Sequence, residues 1–221
     1  MSESLQQNIE VQAFHSEGEL QNAIQQQLIE ILNRIDAQPA VVSTFEELEK
    51  ARLSLKNFRK AQTGLAEKVH TLGKELTSLS AESELAIIDG SAVSDFSDPI
   101  RQKESEHRLI TRAHQRLIEQ MIPEAEISEM KYFANHLAAK ARATREEATA
   151  RIEQTAQLMA QAAAFEGHIS FDPANTLSGA LVAHAEEMET QVDQYRRWAS
   201  ERTEKHQRIL KELESIKLLR G

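Results

Sequence analysis

The chain has 221 residues, of which 40% are hydrophobic, 5% aromatic and 28% charged, with a formal net charge of −9. The absence of Cys excludes disulfides, thiolate metal sites and a cysteine nucleophile, and a charge this modest does not force the chain into disorder. Only 7 Gly and 4 Pro are available for turns, so the elements must be few and long, with a core of Leu, Ile, Val and Ala.

The opening MSESLQQNIE has neither a basic segment nor an apolar one, so no secretory signal is expected. No run approaches the roughly 18 apolar residues that a membrane helix needs, and the expected compartment is the cytoplasm. A first helix is expected over residues 18–36, after a flexible start, with Leu20, Ile24, Leu28, Ile31 and Ile35 on one face. Ala37-Gln38-Pro39 ends it. Ser43 or Thr44 is expected to cap a second helix, with Glu46 and Glu47 in its first turn, running to about Ile88. Asp89 to Ser97 reads as a loop. Asp98-Pro99 is expected to restart a helix as cap and first position, and Pro123 to start another or kink it. The last break is expected at Glu166 to Phe171, with Asp172-Pro173 opening a final helix to about Leu219. The two Asp-Pro starts lack a shared flanking pattern, so they read as independent caps rather than a duplication.

Periodicity sets the expected architecture. Leu48, Leu55, Gln62, Val69 and Leu76 recur every seven residues, and Ala51, Phe58, Leu65, Leu72 and Leu79 follow three residues later. In the final helix the corresponding rows are Leu181, Met188, Tyr195, Arg202, Ile209 and Ile216, and Ala185, Val192, Ala199, His206 and Leu213. Such rows are the signature of coiled-coil packing. After Pro123 the spacing reads as eleven, through Leu137, Ala148 and Met159 and through Ala141, Ile152 and Ala163, which implies a straight or slightly right-handed path. Three segments, 44–87, 124–165 and 178–219, match in length at roughly 60 Å each. The expected fold is all-α: an elongated antiparallel helical bundle with long coiled-coil helices, residues 1–40 forming an N-terminal helix and flexible start and 41–221 the bundle. In shape alone the three long helices resemble membrane-bending crescent domains of the BAR type and spectrin-like bundles. A net charge of −9 does not supply the basic concave face of the former, and no spectrin-like repeat period is visible.

Candidate chemistry is sparse. Glu67–His70 and Glu104–His107 have the i, i+3 spacing of bundle metal ligands, and His114 lies one heptad beyond His107. The register turns Glu67 and His70 away from the seam, because Val69 is a core position. Gly73-Lys74 lacks the second glycine of a phosphate loop and interrupts no heptad. No nucleophile elbow or zinc-binding His pair is present, so neither an enzyme, a cofactor nor a metal is expected.

Charge is more informative. Residues 1–40 carry one Arg against six acids, and 152–195 carry seven acids and no Lys or Arg. Lys131, Lys140, Arg142 and Arg145 form an acid-free basic stretch, and residues 196–221 carry eight bases against four acids. Pairing of basic with acidic segments, within or between chains, is the expected use. Tyr195, Arg196, Arg197 and Trp198 hold the only Trp and one of two Tyr. Such a cluster is the candidate partner contact, since interface hot spots favour these types. The expected function is that of a non-enzymatic helical interaction protein (scaffold, adaptor or assembly subunit), with a homo-oligomer as the expected state and a protein partner that the sequence does not name. The alternatives are a membrane-surface or nucleic-acid-associated protein acting through the basic segments and, third, a metal-binding bundle.

Overall fold

The computed structural model describes residues 17–89, 94–163 and 177–220, with side chains described there except at 17–21, 23, 24, 94, 95, 155–163 and 217–220. These residues are helical throughout apart from the turn at Ala37 and Gln38 and from Asp89, and no strand occurs among them. The elements are α1 (Glu17–Asp36), α2 (Pro39–Ile88), α3 (Ser94–Arg116), a π-helical turn (Leu117–Met121), α4 (Ile122–Ala163) and α5 (Leu177–Arg220). The expected break at Glu166 to Phe171 and the Asp172-Pro173 start lie outside the described residues.

Two expected helix boundaries are corrected and a third is met. α2 begins at Pro39, not at Ser43 or Thr44. The amides of Val41 and Val42 both donate to the Gln38 carbonyl, and Gln38 itself donates to Ile35. Backbone bonds close the turn, and Pro39 sits where its missing N–H costs nothing. α3 begins at Ser94, which leaves Pro99 inside the helix rather than at its first position. Pro123 is the second residue of α4, so the helix start expected there is met to within one residue. The chain widens into the π-turn just before it, where the Ile122 amide donates to Leu117, five residues back, and continues into α4. A π-turn relaxes the ladder where a proline cannot donate.

The residues group into two compact units. One comprises Met1–Val42 with Leu137–Thr190, the other Ser43–His136 with Gln191–Gly221. In the first, Ile31, Ile35, Val41, Ala143, Ala148 and Leu181 form the buried cluster, with Leu28, Leu32 and Val182 packed on it. Ile31 and Ile35 share a face of α1 with Leu28, as the sequence spacing requires; Leu20 and Ile24 lie outside the described side chains. Lys140 meets Asp36 at 2.6 Å and Arg145 meets Glu189 at 2.7 Å in this same unit.

In the second unit the ten heptad positions of α2 are all buried or half-buried. Leu48, Ala51, Leu55 and Leu72 are fully buried, while Glu67 and His70 are exposed. Burying one such Leu is worth about 1.5–3 kcal/mol, enough to fix which face of α2 turns inward. Cross-helix pairs run in order: Thr44 with His136, Arg52 with Glu129, Arg59 with Glu126 and Glu75 with Lys103. The partner's number falls as the number on α2 rises.

The eleven-residue spacing in α4 is also corrected. Ile152 is 49% exposed, while Ile127, Ala134, Ala141 and Ala148, seven apart, are buried. Thr144, which an apolar filter skips, is fully buried because its hydroxyl donates to the Lys140 carbonyl. Met159 and Ala163 lie outside the described side chains.

Candidate interaction surface

α5 carries its heptad rows unevenly. Leu181, Ala185, Met188, Val192, Ala199 and His206 are buried, but at the far end Arg202, Ile209 and Ile216 are exposed. Two large aliphatic side chains on a core row, Ile209 and Ile216, are thus 41% and 46% exposed.

Around that row, in the second unit, stands a set of aromatic contacts. The Tyr195 ring lies 4.5 Å from Phe133 of α4 and meets Trp198 edge-on at 5.2 Å. The Arg52 guanidinium of α2 sits 5.8 Å over the Phe133 ring. Edge-to-face and cation–π pairs add about 0.5–1.5 and 0.5–1 kcal/mol to simple burial. Tyr195 is half-buried and anchors the group, while Trp198 is 43% exposed. Arg196 and Arg197 are exposed and, among the described residues, take part in no ring contact or ion pair. Of the four residues singled out from sequence, the structure thus joins Tyr195 and Trp198 and leaves the two arginines on the outside. Phe133 and Arg52 were not foreseen, since nothing in a single sequence pairs residues so far apart.

Trp198 also borders a groove of about 700 Å³, with Ile118 and Pro123 from the π-turn region, Met130 of α4, and His206 and Ile209 of α5. Ile118 lies within the π-turn itself. Arg202 at the groove edge bonds one oxygen of Glu126, and Arg59 donates to the other at 3.0 Å. Two guanidiniums thus share one carboxylate, and the charged lining of the groove sets Glu119 and Glu201 beside Arg202 and Lys205. His206 is buried, and its Nε2 has no hydrogen-bond partner; the nearest carboxylate oxygen is Glu124 Oε1 at 3.9 Å.

No family model, curated protein or solved structure matches the chain. The function must be argued from the surface itself.

The other candidates are less productive. Glu67 and His70 are both exposed, Glu104 is exposed, and His107 packs beside Gly73. Among the described residues no three His, Asp or Glu side chains are placed to share a cation. Gly73-Lys74 lies inside uninterrupted α2. In the basic stretch Lys140 and Arg145 are already paired with acids, while Lys131 and Arg142 are exposed. Arg145 donates two hydrogen bonds to Glu189, which holds the Glu189 carboxyl below the ordinary range and raises the guanidinium. No helix among the described residues is long and apolar enough to cross a membrane.

Proposed function

We propose that this chain is a non-enzymatic helical interaction protein, a scaffold, adaptor or assembly subunit, that self-associates. In this reading the helices form an elongated antiparallel bundle with coiled-coil seams. The ordered pairs between α2 and α3–α4 support the antiparallel sense, and the seven-residue rows of buried positions support the seams. The observation that carries the proposal is the groove edged by Trp198, with Ile118 and Ile209 exposed beside it. A contiguous apolar surface with an aromatic anchor and an arginine rim is the composition of a protein contact rather than of a reaction site.

Action through the basic segments on membranes or nucleic acid has less support. Two bases of the central stretch are neutralised by Asp36 and Glu189, and the exposed bases of α5 alternate with Glu201, Glu204, Glu212 and Glu214. Such alternation is the pattern of a solvated helix flank. The test is chemical cross-linking and sedimentation of the wild-type chain beside Trp198→Ala. The variant is expected to keep its helix content and to lose association by about thirtyfold, the 2 kcal/mol of a hot spot. Unchanged association in the variant, or tight binding to DNA that weakens steeply with salt, would refute the proposal.

A further inference from the structure

Resting on that proposed self-association, we infer that the contact is a two-fold pairing of α5 with α5 of a second copy, antiparallel, with its axis level with Gln207. Trp198, Lys205, Ile209, Glu212 and Ile216 fall within about 40° of one line along the helix, with Arg202 at its edge. All six are exposed. Set antiparallel about Gln207, this stripe matches itself. Trp198 lies on the partner's Ile216, Arg202 on the partner's Glu212, and the stem of Lys205 on the partner's Ile209, where a lysine can cover apolar surface and keep its charge in water.

The charges choose the direction. A parallel pairing sets Arg202 against Arg202, Lys205 against Lys205 and Glu212 against Glu212. The antiparallel one puts Glu212, which has no ion-pair partner among the described residues, beside two arginines that share only Glu126. Like charges in register disfavour the first arrangement, and opposite ones favour the second. The apolar wall of Ile118, Pro123 and Met130 widens the contact beyond a single helix line, as a symmetric interface requires.

The chain lacks cysteine, so single cysteines at Ser200, Gln207 and Ser215 take spin labels uniquely, off the stripe. Ser200 and Gln207 lie on the same face of α5, so dipolar spectroscopy on the full chain should return a shorter label-to-label distance at Gln207 than at Ser200. The axial separation should grow by about 3 Å per residue to either side, giving roughly 21 Å at Ser200 and 24 Å at Ser215. Ile209→Asp with Ile216→Asp changes two side chains exposed in the single chain, so the helix content should stay and the dissociation constant should rise at least about tenfold. Equal distances at Gln207 and Ser200, or a double variant that associates like the wild type, would overturn this pairing and leave self-association itself standing. A wild-type chain monomeric at tens of micromolar would overturn both. Monomeric protein whose sedimentation with phosphatidylserine-containing vesicles is lost in the double variant would assign the stripe to lipid instead.

Discussion

Gly64 and Gly73 stand inside α2 without a packing reason to lack a side chain. A Cβ at Gly64 would meet nothing within 4 Å, and one at Gly73 would make an ordinary 4.0 Å contact with His107 Nε2. Glycine in a helix interior costs about 0.5–1 kcal/mol relative to alanine. Gly64→Ala and Gly73→Ala should therefore each raise the unfolding free energy by about that amount, read as a higher denaturant midpoint without a change in slope. A drop at Gly73 would mean that His107 needs the space. The Arg145–Glu189 pair gives a second prediction at this scale. Because Glu189 titrates below its ordinary value of 4.5, its contribution is present above that pH and is lost as pH falls through the depressed value. Glu189→Gln should lower stability at neutral pH and flatten the profile below pH 4.5, and added salt should shrink the difference, since both side chains are exposed. Parallel acid-melting curves for the two proteins would contradict this.

At the scale of the elements, α2 offers a paired test of register. Leu72 is 6% exposed on the seam and His70 projects outward. Leu72→Ala should cost about 2–5 kcal/mol and His70→Ala less than about 0.5, read from urea unfolding. This register was legible because five heptads of mostly Leu leave one solution. The helix starts were less so. Ser43 and Thr44 have the chemistry of caps, but the Gln38 carbonyl had already closed the turn, and Thr44 Oγ1 is instead 3.2 Å from His136 Nδ1. Nothing in Leu117–Met121 announces a π-turn; only the proline after it hints that the ladder must loosen. In α4, alanines at many positions satisfy a period of seven or eleven equally well, and the exposure of Ile152, which the sequence does not reveal, decides between them. The aromatic half of the surface was visible in Tyr195 and Trp198. The groove was not, because it joins α5 to residues some eighty positions earlier.

At the scale of the whole molecule, two apolar positions of the described α5 row, Ile209 and Ile216, stay exposed, and this links sequence to proposed function. Ile209 and Ile216 are exposed on a row that begins with buried Leu181, which is what the proposed contact of the far end of α5 with a second copy requires. Circular dichroism should show more than about 70% helix, and small-angle scattering a radius of gyration above the roughly 17 Å of a globule of this length, if the proposed bundle is elongated. A compact sphere would reject the elongation and leave the helices. The most direct test of the central claim is the molar mass of the full chain by sedimentation equilibrium at tens of micromolar. Self-association through α5 predicts twice the mass of the 221-residue chain, falling toward the single-chain mass on dilution. A single-chain mass throughout would contradict it.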